Sequence, residues 1–125
     1  MSKKNIRLFK PSLDNEEINA VKKVFSKSWL GLGEEVNKFE KEFCKFINSK
    51  YAIGVNSGTA ALDLAVKSFD FNKNKNILVN NLSFVSSASC IVNNGLKPIL
   101  IDREEDNLGF NINDAKKKIN KNTVA

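Results

Sequence analysis

Apolar positions recur along this chain with two periods, and the switch between them outlines a fold. Ile18, Val21, Val24 and Phe25 share one helical face. Ahead of them, Asp14-Asn15-Glu16-Glu17 has the form of a capping box, an acid standing three positions after the cap residue. Val36, Phe39, Phe43, Phe46 and Ile47 keep the same spacing, so a second amphipathic helix is expected over residues 35–48, with its phenylalanines in the core. Between the two, Trp29, Leu30 and Leu32 sit among Gly31 and Gly33 in an apolar, flexible loop. Loops of that kind serve as lids or substrate walls, or simply as hydrophobic tethers. Residues 5–12 read as an extended arm, with Pro11 discouraging helix before it.

After Lys50 the pattern shortens. Residues 52–55 form a brief apolar run expected to be a buried strand, followed by Asn56-Ser57-Gly58-Thr59 and a helical pattern at Ala60, Ala61, Leu62, Leu64, Ala65, Val66 and Phe69. Residues 77–79 give a second strand, ending at Asn80-Asn81-Leu82-Ser83-Phe84. The helix after it carries Val85, Ala88, Ile91 and Val92 and stops at Asn94-Gly95. Residues 98–101 give a third strand ending at Asp102. Asn111 caps a last helix with Ala115 and Ile119 inward, and Val124-Ala125 fall where another strand could begin. Two helices followed by strand–helix units indicate an α/β fold, a parallel sheet covered by helices. In such sheets function gathers at the carboxyl ends of the strands, here 56–59, 80–84 and Asp102.

Composition narrows the chemistry. A chain of 125 residues, 42% hydrophobic and 27% charged, can bury one core. No apolar run approaches the roughly 18 residues needed to cross a bilayer, and MSKKNIRLFK lacks the apolar stretch of a signal peptide, so a cytoplasmic location is expected. With two cysteines and no histidine, neither a disulfide framework, a zinc site nor a Ser-His or Cys-His pair is expected. The net charge of +6 comes from scattered lysines rather than a basic stripe. It indicates a solvated surface compatible with small anionic substrates, without nucleic acid as a partner.

The sharpest candidate site is the turn at Ser57-Gly58-Thr59. A strand turning tightly into a helix aims free N–H groups and the positive end of the helix dipole at one point, which suits an anion such as phosphate. Gly58 allows close approach and the two hydroxyls add hydrogen bonds. The same residues also serve as an ordinary capped turn, and both readings stand at this level.

The blocks SKSWLGLGEEVNKFEKEF (26–43), YAIGVNSGTAALDLAV (51–66), NILVNNLSFVSSASCIVNNGLKPILID (76–102) and NKNTVA (120–125) resemble, in order and separation, the N-terminal part of the DegT/StrS family of pyridoxal-phosphate-dependent sugar aminotransferases. The resemblance implies the three-layer α/β/α large domain of the fold type I (aspartate aminotransferase) superfamily, here truncated. Residues 1–34 would form an arm, helix and loop, and residues 35–125 an incomplete cofactor-binding domain holding its first three strands. It implies pyridoxal 5'-phosphate as cofactor, with Ser57, Gly58 and Thr59 cradling its phosphate and Phe84 stacking on its ring. By burial habit alone Phe84 would be core. It places Trp29, Gly31 and Gly33 near a sugar-nucleotide pocket and gives Asp102 a site-shaping role. Asn80 departs from the proline frequent in the family.

The resemblance further implies a nucleotide-linked keto sugar as substrate, commonly glutamate as amino donor, and a homodimer. No catalytic residue is assigned within the chain, because the lysine that forms the Schiff base and the aspartate that pairs with the pyridine nitrogen lie beyond Ala125 in the family pattern. With Met1 as a true start, the expectation is a C-terminally shortened chain, inactive alone and left with unpaired strand edges. Two rivals stay open. One is a dehydratase of the same family, with histidine in place of the lysine. The other is a non-catalytic remnant.

Overall fold

The computed structural model describes residues 9–125. The arm expected over residues 5–12 therefore lies in part outside the described residues. The chain resolves into two compact units, one running up to Gly54 and the other spanning Val55–Ala125.

The first unit holds helices α1 (Asn15–Ser26) and α2 (Glu34–Phe46). The capping box forms as expected: the Glu16 N–H donates to Asp14 Oδ1 and the Asp14 N–H donates to Glu17 Oε2, both at 2.8 Å. Lys27, at the end of α1, donates to the Glu34 carboxylate at the start of α2 at 2.8 Å, with Glu35 3.6 Å away. Two expectations fail in this unit. Residues 52–55 form no strand. A lone extended segment has no ladder to satisfy its backbone groups, and the Gly54 N–H donates instead to Glu40 Oε1 of α2 at 2.7 Å. The phenylalanines of α2 are not core. Phe39 and Phe43 meet with ring centroids 5.9 Å apart, but both, and Phe46, are exposed. Helical periodicity identifies the apolar face and not what covers it.

The second unit contains α3 (Gly58–Ser68), β1 (Asn76–Asn80), α4 (Ser86–Asn93), β2 (Lys97–Ile101) and α5 (Ile112–Lys118). β1 and β2 pair in parallel, with Asn76 opposite Lys97 and Asn80 opposite Ile101. A third parallel segment starts on the other edge of β1. There the Asn76 N–H donates to the Asn122 carbonyl, the Val124 N–H to the Asn76 carbonyl, and the Leu78 N–H to the Ala125 carbonyl, at 2.8–2.9 Å. The spatial order is thus C-terminal segment, β1, β2.

Ile77, Val79, Cys90, Ile91 and Leu96 form the buried cluster, with Val66, Phe71 and Val124 packed against it, and Ile101 is fully buried. α4 ends in a Schellman motif. The Gly95 N–H donates to the Val92 carbonyl and the Leu96 N–H to the Ile91 carbonyl, with Gly95 at φ +75° in the region glycine favours. In α5, Asn111 Oδ1 caps the Asp114 N–H at 2.8 Å and Ala115 is buried. Ile119, expected inward, is exposed, because α5 stops at Lys118 and Ile119 turns into extended backbone.

Candidate functional site

α3 begins at Ser57, whose Oγ accepts the Ala60 N–H at 3.2 Å and whose carbonyl accepts the Ala61 N–H at 3.1 Å. These bonds settle two of the donors at the helix start. The N–H groups of Gly58 and Thr59 have no acceptor among the described residues. A Cβ added at Gly58 would meet no heavy atom of the rest of the chain within 4 Å, so there is open space beside this residue. Two free amides, the dipole of an eleven-residue helix and flanking hydroxyls fit a phosphate group of a cofactor.

Phe84 stands just beyond the carboxyl end of β1, two residues ahead of α4. It is 74% exposed, against the burial that its residue type alone suggests. The loop that carries it is nevertheless closely tied. Asn80 Oδ1 accepts the Leu82 N–H at 2.9 Å, and Asn80 Nδ2 donates to the Leu108 carbonyl at 3.2 Å. The Asn81 N–H donates to the Ile101 carbonyl at 2.9 Å, and Asn81 Nδ2 donates to Asp102 Oδ1 at 2.8 Å. The Ser83 and Ser87 hydroxyls lie 2.6 Å apart. A large flat ring held in the open on a fixed loop is suited to covering another flat π-system.

Asp102 follows β2 directly. Its N–H donates to Asp114 Oδ2 at 2.8 Å and its carbonyl accepts the Asn111 N–H at 2.9 Å. The Asp114 carboxyl is held below its ordinary value, first by the hydrogen bond from Lys118 and next by that from the Asp102 amide. None of these long-range partners is marked in the sequence. Only the Asn111 cap, three residues from its donor, and the Asp114–Lys118 pair, four residues apart on α5, have local signatures.

Trp29, Gly31 and Gly33 lie in the first unit, and Ser57, Gly58, Thr59 and Phe84 in the second. The loop is folded on itself: Trp29 Nε1 donates to the Leu32 carbonyl at 2.9 Å. A Cβ at Gly33 would come within 3.2 Å of the indole, so glycine lets the ring lie flat along the loop. Trp29, Leu30 and Val24 border an open cavity of about 560 Å³ whose polar wall includes Lys27 and Glu34. Among the described residues no group of His, Cys, Asp or Glu is arranged to hold a metal ion, and no helix is long and apolar enough to cross a membrane.

Known proteins match this chain over most of its length. Residues 11–125 match the model of the DegT/DnrJ/EryC1/StrS aminotransferase family. The spore coat polysaccharide biosynthesis protein SpsC of Bacillus subtilis is 38% identical over 100 residues, which is 80% of this chain and 26% of that protein. The dTDP-4-dehydro-2,3,6-trideoxy-D-glucose 4-aminotransferase of Saccharopolyspora spinosa is 33% identical over 122 residues, 96% of this chain and 32% of that one. Among solved structures, the E. coli GDP-4-keto-6-deoxy-D-mannose-3-dehydratase with bound hydrated PLP superposes with a TM-score of 0.88 at 26% identity, covering 95% of this chain and 32% of that one. S. venezuelae DesV gives a TM-score of 0.80 at 27% identity, over 87% of this chain and 29% of that one. The chain thus spans about a quarter to a third of the length of the relatives it matches. The α/β fold expected for fold type I enzymes is the one it has. With the family model matched along residues 11–125, the chain belongs to the DegT/DnrJ/EryC1/StrS aminotransferase family.

Proposed function

We propose that the protein is a pyridoxal-phosphate-dependent aminotransferase acting on a nucleotide-linked keto sugar, and that this chain supplies cofactor binding rather than proton transfer. The observation that carries the reading is the start of α3, where the Gly58 and Thr59 amides have no acceptor among the described residues and the space beside Gly58 is open. The phosphate would rest there, with the Ser57 and Thr59 hydroxyls beside it. Phe84 would lie against the cofactor ring, and the loop of Trp29, Gly31 and Gly33 would form part of the wall for the sugar nucleotide. When bound, pyridoxal phosphate supplies the aldehyde and electron-withdrawing ring through which an amino group passes from donor to acceptor. Glutamate is the proposed donor, and a dTDP- or GDP-linked 4-keto sugar, the kind named for two relatives, the acceptor. The chain alone has no residue assigned to covalent work and is proposed to be inactive. The active form is proposed to be a cytoplasmic homodimer.

The complete gene product, incubated with pyridoxal phosphate, glutamate and such a sugar nucleotide, is expected to yield 2-oxoglutarate and an amino sugar in equal amounts. A second reading, sugar dehydration, draws on the likeness to the E. coli 3-dehydratase. It predicts a deoxygenated sugar with no amino group retained. Failure to bind the cofactor would exclude both.

A further inference from the structure

Resting on the cofactor site just proposed, we propose that Asp102 is a positioning residue for the Phe84 ring, acting through the side-chain amide of Asn81. Phe84 is 74% exposed, so packing does not fix its direction, and the backbone of its loop must. That loop leaves β1 at Asn81, which is held at two points, the last residue of β2 and the residue after it. Its N–H reaches the Ile101 carbonyl at 2.9 Å and its Nδ2 reaches Asp102 Oδ1 at 2.8 Å. The first bond extends the strand ladder by one step. The second is a side-chain tie that sets how the chain turns out of the sheet toward Phe84.

Asp102 is itself fixed, because its N–H and carbonyl are both engaged by the first turn of α5, through Asp114 Oδ2 and the Asn111 N–H. The anchor thus runs from α5 through Asp102 and Asn81 to the aromatic ring. Both groups are exposed and water competes for them, so the tie contributes in the ordinary range of a single hydrogen bond. The Ser83 and Ser87 hydroxyls, 2.6 Å apart, tie the other end of this loop to the first turn of α4, so the segment carrying Phe84 is fastened on both sides.

The test is titration of the complete protein with pyridoxal phosphate, read by cofactor absorbance and tryptophan fluorescence, without turnover. Asp102→Ala and Asn81→Ala are each expected to weaken cofactor affinity about three- to tenfold, the range of one lost hydrogen bond. Asp102→Asn keeps an acceptor and is expected to restore the affinity. In a Phe84→Ala background, Asp102→Ala is expected to cost nothing further, because the ring it positions is gone. Asn81→Ala, on an exposed loop, serves if Asp102→Ala fails to fold. Unchanged affinity in both single variants overturns the proposal, as does an Asp102→Ala loss that persists undiminished without Phe84. In those cases the wild type still binds cofactor and the functional reading stands. A wild type that binds none rejects that reading and this proposal together.

Discussion

Asn94 at the end of α4 donates from Nδ2 to both the Oδ1 and the backbone carbonyl of Asp63 in α3, at 3.2 and 3.4 Å, and to the Cys90 carbonyl at 2.8 Å. This one amide ties together the two helices that carry the candidate site, α3 at its start and α4 just after Phe84. Asn94→Ala is expected to lower unfolding stability by about 1–2 kcal/mol, because partly buried acceptors lose their donor. Asn94→Asp is expected to cost more, since it sets a second carboxylate against Asp63. Urea denaturation of the three proteins decides.

Cys90 and Cys44 are expected to differ in reactivity. Cys90 is buried, donates to the Ser87 carbonyl at 3.4 Å, and has its thiol pushed up chiefly by desolvation. Cys44 is only partly covered. Since the thiolate is the reactive form, a maleimide at pH 7.5 should label Cys44 first and Cys90 only with unfolding. Peptide mapping after timed labelling checks the order, and equal rates would show that the cluster around Cys90 is open.

Asp114 links acid stability to α5. Its carboxyl is depressed below the ordinary 3.8 by Lys118 at 2.8 Å and by the Asp102 N–H. A depressed folded-state value means a stabilising contribution present above the unfolded value and lost as pH falls through the folded one. Asp114→Asn should therefore be less stable than wild type at pH 7, and the gap should close as the pH is taken below the range of ordinary carboxylates. Thermal melts at pH 7 and pH 3 measure it.

The 125-residue chain by itself is expected to self-associate. Ile18, Val21 and Phe25 on α1, Phe39, Phe43 and Phe46 on α2, and Ile53 are all exposed. Apolar surface on that scale is unusual for a soluble monomer. Light scattering and binding of a hydrophobic dye should both be high, and a monodisperse preparation with a sharp cooperative melt would contradict the expectation.

What was legible in the sequence was local. The Asp14–Glu17 capping box, the Ser57 and Asn111 caps and the Gly95 stop each depend on residues within four positions, and each forms. The paired strands were legible because short apolar runs bounded by polar turns recur at the right intervals. The strand at 52–55 was misread because pairing needs a neighbour that no local pattern supplies. The phenylalanines of α2 were misplaced because periodicity marks an apolar face and not what covers it, and Ile119 because α5 stops one residue before it. At the candidate site, the free amides of α3 followed from the turn sequence. The ties from Asn81 to Asp102 and from Asn94 to Asp63 span 21 and 31 residues, and no spacing rule reveals them.

The most direct test compares pyridoxal phosphate with pyridoxal as ligands of the complete protein, for wild type and for Gly58→Trp. The two ligands differ only by the phosphate, and the substitution fills the open space beside Gly58. The account predicts a strong preference for the phosphorylated form in the wild type that disappears in Gly58→Trp. A preference that survives the substitution, or is absent from the wild type, would contradict it.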